Sequence, residues 1–172
     1  DKLAKLVVVK GANVQKDQPV IIRANVGDAA FVKKVVRCAY EAGARYVSVD
    51  WRDTEITKMG YEYQTLETLC EVPQWKYDKT KYEHDGGACY ISIASDKPGA
   101  MADVDGEKMN AANVAYYTKT ADLMSYTMNN KGQWCVFGIP SVEWAKVVFP
   151  GLSEGEAFEK LGELEFAKLF EL

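Results

Sequence analysis

Residues Pro19 to Trp51 restrict the fold more than any other stretch, because they spell a strand, a tight turn, a helix and a second strand without interruption. Val20-Ile21-Ile22 with Ala24 and Val26 form a short apolar, β-branched run. Pro19 opens it, at the position where a missing N–H costs a strand least. This predicts a buried strand from Val20 to Val26. Gly27 and Asp28 break the run, and the Asp28 carboxylate is placed to accept from the free amides of a helix beginning at Ala29. Phe31, Val32, Val35, Val36 and Ala39 then recur at three- and four-residue steps, with Lys33, Lys34 and Arg37 between them, so one helix face is apolar and the other wet. Gly43 stops the helix, and Tyr46-Val47-Ser48-Val49 restarts an extended run that ends at Asp50 and Trp51. Strand, right-handed crossover helix and parallel strand is the economical arrangement.

The same alternation continues along the chain. A short helix precedes it, with Asp1 as cap, Leu3, Leu6 and Val7 on one face and Gly11 at its end; it is expected to cover the sheet. After Trp51, Asp53-Thr54-Glu55 resembles a helix start, and apolar residues run on through Met59, Leu66 and Leu69 to the break at Pro73. Trp75 to Gly87 mixes lysine, aromatic and acid without a clear period and reads mostly as surface connection with some helix. Ala88 to Ala94 has the near-continuous apolar character of a strand buried on both faces. Val114, Tyr117, Ala121, Met124 and Met128 mark one face of a long helix ending near Asn129, and Trp134 to Ile139 is a fourth strand stopped by Pro140. Ser141 caps a short helix, and Ser153 with Glu156 makes a capping box for a last one. An α/β fold follows, with a mostly parallel sheet and helices on both faces. Residues 1–150 read as one α/β domain. Residues 151–172 read as a helix leading onward, since its apolar end at Phe170-Glu171-Leu172 has no stop signal; the expectation is one domain of a larger, two-domain protein.

Composition narrows the function classes. Asp plus Glu number 25 against 21 Lys plus Arg, a net charge of −4, which argues against a general polyanion binder and so against nucleic acid. No apolar run approaches the roughly 20 residues needed to span a bilayer, and no charged-then-apolar leader follows Asp1, so no membrane association is expected. Cys38, Cys70, Cys89 and Cys135 contain no C-x-x-C pair and fall mostly inside apolar runs. That points to reduced, buried thiols and a cytoplasmic setting.

The chain carries few recognised catalytic or binding motifs. Val26-Gly27-Asp28 lies where helix amides hold phosphate in nucleotide folds, but Ala29, Ala30 and Phe31 replace the further glycines, so Asp50 reads as a strand-end loop residue and not a ribose ligand. The single histidine, His84, in Glu83-His84-Asp85-Gly86-Gly87, cannot build a His-rich zinc site and reads as a solvated loop residue. Asp50, Asp53 and Glu55 either converge on a divalent cation or serve as caps and solvated acids. Lys76, Lys79 and Lys81 alternate with Trp75, Tyr77 and Tyr82, a mixture able to stack a single strand but set among acids, where snorkelling surface lysines are the simpler account. Ser-based catalysis would have only the single histidine as its base.

Several stretches in one order resemble a known family. They are Gly11-x-Asn13-Val14-Gln15-Lys16-x-Gln18-Pro19-Val20-x-Ile22-Arg23-Ala24 and Gly43-Ala44-x-Tyr46-Val47-x-Val49-Asp50-Trp51-x-Asp53. Tyr61-Glu62-Tyr63, Glu71-Val72-Pro73-x-Trp75, Ala88 to Ser95, Tyr126-Thr127-Met128-Asn129-Asn130, Trp134, Pro140 and Trp144-Ala145-Lys146-x-Val148-Phe149-Pro150 follow. Together they resemble the N-terminal domain of the metal-dependent aminopeptidases of the thermophilic type, peptidase family M29. The resemblance implies hydrolysis of N-terminal residues from peptides at a two-metal centre of zinc or cobalt, with a peptide substrate, a homo-oligomer such as a dimer, and metal ligands in a C-terminal domain that this chain lacks. It therefore assigns no catalytic or metal residue here, and this chain alone is expected to be inactive. A stand-alone interaction or small-ligand module is the alternative. Asn129, Asn130 and Trp134, at the junction of the long helix and the fourth strand, have two readings: helix cap with a core tryptophan, or contact with substrate or the other domain.

Overall fold

The computed structural model describes residues 1–170, apart from the side chains of 166 and 168–170. The expected uncapped end at Phe170-Glu171-Leu172 lies outside the described residues. Four strands, β1 (Pro19–Asn25), β2 (Tyr46–Arg52), β3 (Cys89–Ala94) and β4 (Trp134–Gly138), form one sheet in the order β2-β1-β3-β4, and every pair is parallel. The chain crosses first to one side of β1 and then to the other, so the strand order switches between β1 and β3.

Two cores flank the sheet. On one face, Val20, Ile22, Ala24, Cys89, Ile91 and Ile93 pack against α1 (Lys2–Leu6), its π-helical continuation Val7–Gly11, and α2 (Ala29–Glu41) through Leu3, Val7, Val8, Val32, Val35 and Ala39. On the other, Ile21 and Tyr90 meet Ala88 and Tyr126. Because odd and even positions of β1 are both covered, the strand is apolar almost throughout, as a central parallel strand must be. The period-3.6 stripe of α2 is the reason it lies flat on this sheet, and Gly43, at φ +93°, turns the chain out of it.

The remaining elements are α3 (Thr54–Tyr63), α4 (Leu66–Cys70), α5 (Gln74–Asp85), α6 (Gly106–Lys119), α7 (Ser125–Met128), α8 (Val142–Val148) and α9 (Glu154–Phe170). α9 packs on α8 by Ala157 and Leu161 against Ala145 and Trp144. The capping box is formed: the Ser153 N–H donates to Glu156 Oε2 at 3.0 Å, and the Glu156 N–H reaches Ser153 Oγ at 3.4 Å.

Some expectations are corrected. Val26 leaves the strand, opens a 3-10 turn and is 55% exposed. Residues 74–85 form a complete helix, not a surface connection. Its surface carries i,i+4 pairs, Gln74 with Asp78, Lys79 with Glu83 and Lys81 with Asp85, and Glu83 alone of its residues is buried, so there is no apolar period to read. The long helix is split. Thr120 Oγ1 donates back to the Tyr116 carbonyl at 2.8 Å, a bond that competes with the helix ladder, and the chain turns before resuming at Ser125. Val114, Tyr117 and Met128 of the expected apolar face are exposed, whereas Thr120, Leu123 and Tyr126 are buried. Asp1 makes no side-chain cap.

Candidate functional site

In an open parallel sheet the carboxyl ends of the strands part where the order switches, and the loops there frame a crevice. Here that crevice is a cleft of about 840 Å³, lined by the ends of all four strands. Asn25 ends β1 in extended conformation and projects its amide across the switch point. Its Nδ2 donates to Ser95 Oγ at 3.1 Å and to Asp96 Oδ1 at 3.0 Å, just past β3. Ser95, itself 8% exposed, donates to Asp28 Oδ2 at 2.5 Å, in the range of a charge-assisted bond. Thr54, the first residue of α3, donates to Asp96 Oδ1 at 2.8 Å. One hydrogen-bonded net thus ties together three of the four strand ends.

The rim is charged in both signs. Lys58 reaches Asp103 at 3.0 Å, and that hydrogen bond holds the Asp103 carboxyl below the usual carboxylate range. Arg52 and Lys97 also line the cleft. Asp28 does not cap α2 with its side chain, contrary to expectation, because its carboxylate is turned to Ser95. Ser95 has a carboxylate neighbour but no imidazole: the sole histidine is engaged with Tyr126 and Tyr90. The cleft is therefore built to hold polar groups in place, not as a serine nucleophile with its base.

The family model for thermophilic metalloproteases (M29) matches residues 1–169. This chain belongs to the M29 family. Among curated relatives, aminopeptidase AmpS of Bacillus subtilis (strain 168) is 36% identical over 160 residues, covering 93% of this chain and 39% of the relative. Aminopeptidase 2 of Geobacillus stearothermophilus is 31% identical over 166 residues, covering 96% and 40%. The solved structure of wild-type AmpT from Thermus thermophilus superimposes with a TM-score of 0.84 at 28% identity, over 94% of this chain and 41% of that one. The chain thus spans about two-fifths of the length of its M29 relatives.

A metalloprotease family raises the question of where a metal would sit, and the described residues of this M29 chain do not fit one. Among them no three His, Cys, Asp or Glu side chains converge. The acids weighed from the sequence have other work. Asp50 pairs with Lys79 at 2.5 Å, Asp53 accepts from the Ile56 N–H at 3.0 Å as the cap of α3, and Glu55 lies beside Lys58. Lys79 also meets Glu83 and Lys81 meets Asp85, so two lysines of the aromatic-basic stretch are neutralised, while Trp75 and Tyr82 are exposed. No helix among the described residues is long and apolar enough to cross a membrane.

His84 is not the solvated loop residue expected. It sits in the last turn of α5, stacked on Tyr126 at 4.1 Å between ring centroids and edge-on to Tyr90 at 5.7 Å. Burial, and secondarily the Arg23 charge, push its imidazole below the ordinary histidine value.

The residues singled out before β4 lie at the opposite, amino end of the sheet, where Asn130 and Trp134 line a separate open cavity with Asn13. Asn129 is the C-cap of α7, Asn130 adopts φ +51°, and Trp134 Nε1 donates to Asn130 Oδ1 at 3.3 Å. Trp134 is 48% exposed, so a core role for it does not hold.

Asn25, Thr54, Ser95 and Asp96 were not singled out by sequence reasoning. The signal that would have found them is positional: a small polar residue immediately after each apolar strand run of a parallel sheet.

Proposed function

We propose that this chain is the N-terminal domain of a metal-dependent aminopeptidase that removes N-terminal residues from peptides. The M29 match through residues 1–169, to relatives all called aminopeptidases, carries this reading. The stand-alone module is not favoured by that company. In this reading residues 1–150 form the α/β domain and 151–172 lead toward the part of the relatives that this chain does not span. That part holds the divalent ions, zinc or cobalt in a two-metal centre, since the donor set here does not assemble one. The carboxyl-end cleft walls the space where the peptide lies. Asn129, Asn130 and Trp134 contact the other domain or the substrate from the opposite end, and the whole protein works as a cytoplasmic dimer.

The assignment of the metals is open to direct test. After dialysis against zinc or cobalt and then against buffer, metal analysis of the 172-residue chain should find no stoichiometric ion. One or two ions retained per chain would place the centre here and overturn it.

A further inference from the structure

The sheet face turned away from α2 carries a further, smaller cavity of about 230 Å³, lined by Arg23, Thr80, His84, Tyr90, Tyr117 and Thr120 among others. It is distinct from the carboxyl-end cleft and uses none of the same side chains. Arg23 stands in the middle of β1, a central strand, with its guanidinium over the Tyr90 ring at 4.5 Å. The carboxylates nearby are committed elsewhere. Asp50, its register partner on β2, turns to Lys79, and so does Glu83, which is 4% exposed and also accepts from the Tyr90 hydroxyl at 2.9 Å. Arg23 consequently forms no ion pair among the described residues.

A guanidinium drawn half-way into a sheet face gives up hydration, and its planar fork of donors is matched by a carboxylate. The rest of the cavity sets the kind of anion. His84, on α5, is faced by Arg23 from β1, Tyr90 from β3 and Tyr126 from α7, with Asp85 beside it on its own helix. With its imidazole neutral near neutrality, one full positive charge lines the cavity, which suits a monoanion better than a dianion. Thr80 and Thr120 spend their hydroxyl protons on the Lys76 and Tyr116 carbonyls, so they add no donors for a phosphate. Tyrosine rings and Leu123 supply apolar wall. The volume is roughly that of eight waters, the size of a small aromatic acid.

We propose that this cavity binds a small organic carboxylate with an apolar or aromatic tail, the carboxylate on Arg23 and the tail against the tyrosines. The site stands on its own geometry and holds whether or not the longer protein is a peptidase.

His84 is the sole histidine of the 172-residue chain, so its ring protons in an NMR spectrum report on the cavity without overlap. Phenylacetate should shift them saturably. It should also raise the His84 titration midpoint, since a bound carboxylate favours the imidazolium. Inorganic phosphate should produce a smaller shift. In Arg23→Gln the midpoint without ligand should already lie above that of the wild type, and the response to phenylacetate should be lost. Wild-type resonances that do not move, a response kept in Arg23→Gln, or a larger shift with phosphate would each overturn the proposal. The wild-type titration decides even where the variant fails to fold.

Discussion

Asn25 at the end of β1 donates to Asp96 past the end of β3, 71 residues along the chain, and so closes the switch point of the sheet with a single side-chain amide. The same Nδ2 also meets Ser95, whose own proton goes to Asp28. Removing the amide leaves Asp96 with Thr54 alone among these partners.

Asn25→Ala should therefore destabilise the chain by about 1–2 kcal/mol, the cost of losing a part-buried hydrogen bond to Ser95 together with an exposed one to the Asp96 carboxylate. The urea midpoint measures it. An unchanged midpoint would show that the net at the strand ends carries no stability and that the cleft is held open by the sheet alone.

A second pair of residues fixes the other face. Gly132 lies directly against the Tyr126 ring, with no room for a methyl group, while the Tyr126 hydroxyl donates to the Ala88 carbonyl at 2.9 Å. Gly132→Ala should push the ring from this position and cost about 1–3 kcal/mol through overpacking. It should also disturb the His84 resonance, because His84 stacks on the displaced ring. A thermal melt indistinguishable from the wild type would contradict the packing described here.

The central strands β1 and β3 were legible because both their faces are buried and show as unbroken apolar runs at Val20 and Cys89, and the half-buried edge strands β2 and β4 still begin at the runs from Tyr46 and Trp134. α2 was legible from its apolar stripe. α5 was not, since Glu83 alone of its residues is buried and salt bridges at helical spacing hold the rest. The break at Thr120 was hidden because apolar residues at Val114, Tyr117 and Met128 continue a helical period that the structure leaves exposed. The cleft was least legible of all. Asn25, Thr54, Ser95 and Asp96 form no local motif, and topology alone brings them together across separations of 42 to 71 residues.

His84 gives the chain a definite acid response. Its folded-state pKa is depressed, chiefly by burial, so the unfolded chain takes up a proton that the folded chain resists. This contribution is complete above the unfolded value and is lost as pH falls from about 6.5 through the folded pKa. His84→Gln should flatten the decline in urea midpoint between about pH 7 and pH 5 relative to the wild type. A steeper decline in the variant would mean that the folded state favours the imidazolium and that the sign is reversed.

As proposed, this chain is one part of a metallo-aminopeptidase, with the chemistry held elsewhere. The most direct test is hydrolysis of leucine p-nitroanilide with zinc or cobalt supplied. It should be measured for the 172-residue chain and for a protein of the relatives' full length that carries these residues at its amino end. The longer protein should release nitroaniline and the 172-residue chain should not. Metal-dependent turnover by the 172-residue chain itself, or none by the longer protein, would contradict the account.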